Sequence, residues 1–148
     1  RALSAKLPDN AVVLYFDNGV VDVAGLSDLP AGVIATQLDG NDRDLARLAE
    51  LVPQSHPISD LSLAAMSSGV HLEFTGAVAA PIILAFTGDD ESLSAHPVVS
   101  VRLQDGASAV LAEWHQAAVG LSAPLVAIDV GAKAHLSYAK VQQDSLRM

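Results

Sequence analysis

Two pairs of histidine and glutamate stand in the sequence at a spacing that could build a metal site on β-strands. His71 and Glu73 are separated by one residue, and so are Glu113 and His115. Side chains at i and i+2 of a strand point to the same face, so each pair offers an imidazole and a carboxylate together. With His135 from a later strand, stacked strands could bring these groups to one metal ion. We favour the alternative that all five are ordinary polar residues on the outer faces of their strands.

The remaining polar residues with functional potential have simple structural interpretations. His56 and His96 each precede a proline, which favours extended loop backbone. Trp114 is interpreted as a surface or interface anchor. Asp105 and Asp129 lie near turns, where a short carboxylate side chain favours turn formation.

The sequence lacks the motifs of several catalytic classes. It has no Gly-x-x-x-x-Gly-Lys-Ser/Thr phosphate loop, no Gly-x-Ser-x-Gly nucleophile elbow and no His-x-His run of the cupin type. Without cysteine it offers no disulfide, no cysteine-ligated zinc and no cysteine-held iron–sulfur cluster. We therefore predict no catalytic residue, no cofactor-binding residue and no metal ligand in this chain, and we expect it not to be an enzyme.

Composition favours a globular domain with a core of small and medium side chains. Of 148 residues, 51% are hydrophobic but only 4% are aromatic. The net charge is −9 with eight Lys and Arg, which argues against a nucleic-acid partner because phosphate contacts need clustered cations. No apolar run approaches the ~20 residues that span a bilayer, so no membrane partner is expected. Because the chain begins with Arg1, we expect it to be an excised piece or to lack its natural start.

The second half of the chain repeats a short unit. Residues 99–111, VSVRLQDGASAVL, are echoed by residues 124–136, PLVAIDVGAKAHL, with the Gly-Ala pairs 25 residues apart. A strand–turn–strand unit that recurs every 20–30 residues predicts stacked rungs of a β-solenoid. We expect Gly106 and Gly131 to stack at a corner, and His135 to lie at the position of Val110. The predicted interior positions are Val99, Val101, Leu103, Val110, Val126, Ile128, Val130 and Leu136.

The first half has a different organisation. Residues 11–24 predict a β-hairpin around Asn18-Gly19, a dipeptide that tolerates the positive φ of tight turns. Residues 33–38 predict a third strand. A helix is expected from an Asn41 or Asp42 cap to about Val52, stopped by Pro53, and a second from Ser59 to Ser67. Beyond it we predict strands at 70–74, 82–86, 98–104, 108–115, 124–130 and 133–142, with a solvated acidic loop over 88–95.

Four stretches, which together cover residues 14–145, resemble one known family. They are DNGVVDVAGLSDLPAGVIATQL, DLSLAAMSSGVHLEFTGAVAAPIILAF, HPVVSVRLQDGASAVLAEWH and PLVAIDVGAKAHLSYAKVQQDS. In order and spacing they resemble the N-terminal part of the SufD branch of the SufB/SufD family of iron–sulfur cluster assembly scaffolds. The chain departs from the family at His96-Pro97-Val98, where a Pro-Arg pair is usual, and at Leu121-Ser122, where Phe and Asn are usual.

The resemblance implies a right-handed parallel β-helix preceded by a small α/β subdomain. The boundary falls between residues 1–69, the subdomain, and residues 70–148, the first rungs, with further rungs beyond them in family members. It also implies a cytoplasmic, non-enzymatic scaffold that works with a SufB-like β-helix paralogue and a SufC-like ABC ATPase. The iron–sulfur cluster belongs to the full complex, and nothing in this chain aligns with the family's functional residues.

Two other expectations complete the interpretation of the sequence. A carbohydrate-acting β-helix of the polysaccharide lyase type is the alternative function, and it would need carboxylates or basic residues converging on one groove. A solenoid that ends without a cap exposes unpaired backbone and apolar residues on its last strand. We therefore expect the isolated chain to form a homodimer end to end, or its tail, Gln142–Met148, to fold back as a cap.

Overall fold

The chain begins with the predicted hairpin. A computed structural model describes residues 3, 6–52, 56–117 and 121–143. Strand β1 (Val12–Asp17) pairs antiparallel with the two-residue β2 (Val20–Val21). The turn places Asn18 at φ 51° and Gly19 at φ 82°. Positive φ at both central positions is what a tight hairpin turn requires, and Asn-Gly supplies it at low steric cost.

Two of the next elements match their sequence signals closely. Strand β3 (Val33–Leu38) covers the predicted residues, and helix α1 (Asp42–Leu51) begins after Asn41, whose side chain accepts a hydrogen bond from the Asp44 backbone N–H. That bond satisfies one of the unpaired donors of the first turn. The predicted stop at Pro53 lies outside the described residues.

The second helix was predicted at the wrong bounds. Helix α2 (Pro57–Ala64) starts earlier, because proline suits the first helical position, and ends earlier than predicted. Ser67 is not helical, since its backbone N–H donates to the His96 carbonyl at 3.1 Å. A short 3₁₀ helix (Val23–Asp28), capped by Asp22, was not predicted.

The six strands predicted in the second half are all present. They are β4 (Ser68–Phe74), β5 (Ile82–Gly88), β7 (Pro97–Leu103), β8 (Ser108–Ala117), β10 (Leu125–Val130) and β11 (His135–Gln142). Two short strands were missed, β6 (Ser94–Ala95) and β9 (Leu121–Ser122). Each has two residues, which is too few for an alternating pattern to be visible. Because β6 occupies the last two residues of the acidic loop predicted over 88–95, that loop ends earlier than predicted.

The protein is mainly β, with mixed and partly parallel sheets. The five-stranded sheet has the order β11-β8-β5-β1-β2, and the four-stranded sheet has the order β10-β7-β4-β3. β1, β5, β8 and β11 are parallel, as are β4, β7 and β10, whereas β2 and β3 run antiparallel to their neighbours. β6 and β9 form a separate parallel pair. From β4 onward the chain visits the four-stranded and the five-stranded sheet in turn.

The strand register corrects the predicted repeat. Val130 pairs with Leu103 and His135 pairs with Ser108, so paired residues are 27 positions apart and not 25. Gly106 therefore does not pair with Gly131, and His135 does not lie at Val110. Instead, Lys133 (φ 56°) lies 27 positions after Gly106 (φ 74°) and adopts the same left-handed backbone conformation. A shift of two residues keeps every side chain on its face, so alternation alone could not distinguish the two registers.

The core lies between the two sheets and joins both halves of the chain. Phe16, Phe74 and Leu84 are among its buried members. Of the eight predicted interior residues, Val99, Val101 and Leu103 are buried, and Val126, Ile128 and Leu136 are partly buried against the core.

Two of the eight interior predictions are wrong. Val110 is 37% exposed because Ala109 and Leu111, on either side of it, face inward, and Val130 is 45% exposed at the end of its strand. The predicted boundary at residue 69 stays a prediction.

The helices cover the outer face of the four-stranded sheet. Leu48 of α1 packs there with Leu38 and Val98, next to Leu63 of α2. Among the described residues, no helix has the length and apolar character needed to cross a membrane.

Candidate functional site

A carboxylate lies in the interior where the sequence alternation places an inward side chain. In the parallel register, Leu14 pairs with Leu84, Leu84 with Glu113, and Glu113 with Lys140. The two leucines are fully buried, and Glu113 is only 3% exposed. The same inward column thus changes from apolar in β1 and β5 to charged in β8 and β11.

Three donors converge on this buried carboxylate. Tyr138 donates its hydroxyl to Glu113 Oε1. His115 Nε2 lies 2.7 Å from Glu113 Oε2, and Lys140 Nζ lies 3.5 Å from the same oxygen. Burying a charge is costly unless it is paired and hydrogen-bonded, and here both oxygens have partners. We call Glu113, His115, Tyr138 and Lys140 the Glu113 cluster.

Aromatic packing holds the imidazole of the cluster in place. The rings of Phe16 and Phe86 stack with centroids 5.1 Å apart, and the ring of His115 lies tilted against Phe86 with centroids 4.9 Å apart. Since an ionised carboxylate can only accept, His115 Nε2 carries the proton in its bond to Glu113. The stacked rings and this bond together fix both the position and the tautomer of His115.

The Glu113 cluster can orient charge and exchange protons, but it is a poor metal site. An ammonium group lies beside its carboxylate, where a metal ion would have to sit. Across the part of the chain that the structure describes, no group of three or more His, Cys, Asp or Glu is placed to hold a metal ion.

The ligand candidates of the sequence are not brought together. Glu113 and His115 point into the core, whereas His71 lies on the outer face of the other sheet, and His135 is exposed at the start of β11. The expectation that these residues are all polar groups on outer faces is wrong for Glu113 and His115. Both alternate in step with Leu111, whose face the structure buries.

His71 lies in a second polar environment, beneath helix α1. It is 6% exposed; its Nδ1 is 2.9 Å from Ser100 Oγ, and Arg47 Nη2 is 3.4 Å from its Nε2. A guanidinium only donates, so Nε2 accepts and Nδ1 carries the proton. Burial, and then the charge of Arg47, lower the pKa of His71. His71 is therefore held neutral, with both ring nitrogens engaged.

Charged residues surround a small cavity at this position. Its volume is about 100 Å³, and Glu50, Arg102 and Asp129 line it together with His71 and Arg47. Two guanidinium groups and two carboxylates balance in charge, so the cavity favours neither an anion nor a cation.

A shallower groove lies further along the outer face of the same sheet. It measures about 330 Å³ and is lined by Glu73, Arg102, Gln104 and Asp105. Glu73 accepts a hydrogen bond from the Gln104 amide at 2.9 Å. Asp105 accepts from the Ala132 backbone N–H at 2.9 Å, which agrees with its predicted turn-forming role.

The other singled-out residues have local partners. His56 Nδ1 is 3.3 Å from Ser59 Oγ at the start of α2, and His96 is buried with its Nε2 2.7 Å from Ser94 Oγ. Trp114 donates to the Gln116 side chain at 3.3 Å.

Comparison with protein-family models and with curated proteins finds no match for this chain.

Proposed function

We propose that this chain is part of a non-enzymatic scaffold subunit of a SUF-type iron–sulfur cluster assembly complex. In this proposal it forms the small N-terminal subdomain and the first rungs of a right-handed parallel β-helix. The cluster is the cargo of the complete complex, and this part of the chain holds no cofactor of its own. The location would be cytoplasmic.

One observation carries the proposal: parallel strands are added to both sheets in chain order. β4, β7 and β10 build one sheet while β5, β8 and β11 build the other, and the chain passes between them at each step. This connectivity is what stacked coils require, and parallel crossovers are almost always right-handed. The strands concerned, from β4 to β11, lie within residues 14–145, whose sequence resembles the SufB/SufD family.

The proposal is tested with the full-length protein that contains this chain. The same genome should encode a SufB-like paralogue and a SufC-like ABC ATPase. When the three purified proteins are mixed, we expect them to elute together as one complex. Genes for these two proteins and for a cysteine desulfurase should lie nearby. A folded full-length protein that binds neither purified partner would overturn the proposal.

For the isolated chain we propose a homodimer that pairs the uncovered ends. Within the residues that the structure describes, no strand pairs with the outer side of β11, and two copies can bury both such edges in an isologous contact. Light scattering should give the mass of two chains, and Val141→Asp should shift it toward one. A wild-type mass of one chain, unchanged by Val141→Asp, would argue that the edge is already covered.

The groove of Glu73, Arg102, Gln104 and Asp105 supports a second candidate, a carbohydrate-acting β-helix protein. Its open shape and polar lining suit a neutral sugar chain, whose hydroxyl groups could donate to Glu73 or Asp105 and accept from Arg102. Titration with a neutral oligosaccharide such as cellohexaose separates the two candidates. Binding that Arg102→Gln abolishes would support the carbohydrate function, and the scaffold proposal predicts no binding.

A further inference from the structure

The side chain of Asn18 ties the first hairpin to the segment that follows β5. Its Oδ1 accepts hydrogen bonds from the backbone N–H groups of Asp89 at 3.0 Å and Asp90 at 3.3 Å. Its Nδ2 donates to Asp89 Oδ1 at 3.3 Å. We call these three hydrogen bonds the Asn18 clasp. Both ends of the carboxamide are therefore held, by two residues that lie 71 and 72 positions further along the chain.

The next residue, Gly19, is closely enclosed. It is buried, and its carbonyl oxygen accepts a hydrogen bond from Ser67 Oγ at 2.7 Å. A Cβ added to Gly19 would meet Ser67 Oγ at 2.8 Å and Ala95 Cβ at 2.9 Å. Its φ of 82° also lies where residues with a side chain rarely occur. The fold therefore requires glycine directly after Asn18.

An asparagine followed by glycine carries a reaction of its own. The backbone nitrogen of Gly19 can attack Asn18 Cγ, because the lack of a Cβ on glycine leaves this nitrogen accessible. A bond from Cγ to the main-chain nitrogen forms, the Cγ–Nδ2 bond breaks, and the departing amide takes up the proton of the Gly19 nitrogen and leaves as ammonia. Water then opens the cyclic imide at either carbonyl. The product is aspartate, or isoaspartate with the main chain running through the side chain.

The closed clasp opposes this reaction. Attack converts the planar Cγ of Asn18 to a tetrahedral centre, which moves Oδ1 and Nδ2 away from their hydrogen-bond partners at Asp89 and Asp90. Gly19 has little room to approach, because Ser67 and Ala95 enclose it. When opening and closing of the turn are faster than the chemistry, the reaction rate follows the fraction of molecules that are open.

We propose that Asn18 is a site of spontaneous deamidation that the Asn18 clasp gates, and that conversion to isoaspartate releases β2 from the sheet. Isoaspartate adds a carbon atom to the main chain inside the turn, and β2 is held to β1 by only two residue pairs. The product also loses the amide donor to Asp89 and places two carboxylates side by side. This inference goes beyond the scaffold function and does not require it.

The first test compares deamidation of the folded chain and of the chain unfolded in urea, by peptide mass spectrometry at neutral pH. In urea, Asn18 should react faster than Asn10 and Asn41, which precede Ala and Asp. In the folded chain, Asn18 should react at least about tenfold more slowly than in urea, because fewer than about one molecule in ten has the turn open. Equal rates in both states, or no reaction of Asn18 in urea, would overturn the inference.

A variant of the clasp separates gating from general protection by the fold. Asp89→Ala removes the acceptor of Asn18 Nδ2 and should raise the rate in the folded chain by about two- to tenfold. Asp28→Ala, the same change at an exposed position of the 3₁₀ helix, is the matched control and should leave the rate unchanged. In urea both variants should react at the wild-type rate, since neither residue is next to Asn18 in the sequence. Equal folded-state rates for the two variants would refute the gate.

The isoaspartate form, separated by ion exchange, tests the release of β2. The Val21 N–H donates to Ser68 Oγ at 2.9 Å, and the Asp22 N–H donates to the Tyr15 carbonyl at 2.8 Å. Both amides should exchange their hydrogen at least about tenfold faster in the isoaspartate form, whereas the amides of β7 should keep their wild-type rates. Unchanged exchange at Val21 and Asp22 would show that β2 stays in place and would overturn this part of the inference.

Discussion

Replacing Glu113 by leucine tests whether the buried carboxylate is held by its three donors. Leucine is what the same inward column carries at Leu14 and Leu84. The substitution removes hydrogen bonds to a charged group, each worth about 1.5–3 kcal/mol. Burial of the new apolar side chain stabilises the folded state by about 1.5–3 kcal/mol. Because His115 and Lys140 also lose their anion, we expect Glu113→Leu to lower the free energy of unfolding by about 1–3 kcal/mol.

A double variant tests whether the cost of Glu113→Leu comes from leaving Lys140 without its anion. Glu113→Leu with Lys140→Met removes both charges, and replacing a buried ion pair by apolar residues is often neutral or stabilising. The double variant should therefore lie within about 1 kcal/mol of the wild type and above Glu113→Leu alone. The two substitutions should thus be clearly non-additive, as expected for residues in contact.

Urea unfolding measures these differences, followed by the fluorescence of the single tryptophan, Trp114, and independently by circular dichroism. Glu91→Leu, the same change at an exposed position between β5 and β6, is the matched control and should change stability by no more than about 0.5 kcal/mol. If Glu113→Leu behaves like this control, or if the double variant is less stable than Glu113→Leu, the carboxylate is not held as described.

Four further predictions follow from other parts of the structure. Because the pKa of His71 is lowered from 6.5 in the folded chain, the unfolded chain binds this proton more readily, so stability should fall as pH drops through 6.5. Urea unfolding at a series of pH values should show that His71→Asn makes the free energy of unfolding depend less on pH in this range. An unchanged pH dependence would contradict the prediction. A Cβ on Gly131 would meet the Leu103 carbonyl oxygen at 2.7 Å, whereas one on Gly106 meets nothing within 4 Å. Gly131→Ala should therefore cost about 3 kcal/mol through overpacking and Gly106→Ala about 1 kcal/mol through its positive φ, and the reverse order would refute the register. Ile128→Ala should cost about 1–2 kcal/mol, less than the ~2–5 kcal/mol expected for the fully buried Leu84→Ala, and equal costs would mean that Ile128 is fully enclosed. Elemental analysis of the purified chain should find no stoichiometric zinc or iron, and no ATP hydrolysis is expected; one equivalent of tightly held metal would refute this.

Much of the local structure was predictable from short sequence signals. Asn18-Gly19 specifies its turn because few other dipeptides accept positive φ at both positions, and Asn41 marks the start of α1 because its side chain replaces a missing backbone acceptor. The long strands were recognised from their apolar alternation. The two-residue strands β6 and β9 were not, since they exist only through pairing with each other.

Other features depended on which strands lie side by side. The Gly-Ala echo suggested a spacing of 25 residues, but backbone pairing aligns Lys133, and not Gly131, with the turn at Gly106. The sequence by itself determined that Glu113 alternates in step with Leu111. Only the tertiary structure decided that this face is the inner one, and that Tyr138, His115 and Lys140 meet there. The reason is that alternation defines two faces of a strand, whereas burial depends on what the neighbouring sheet covers.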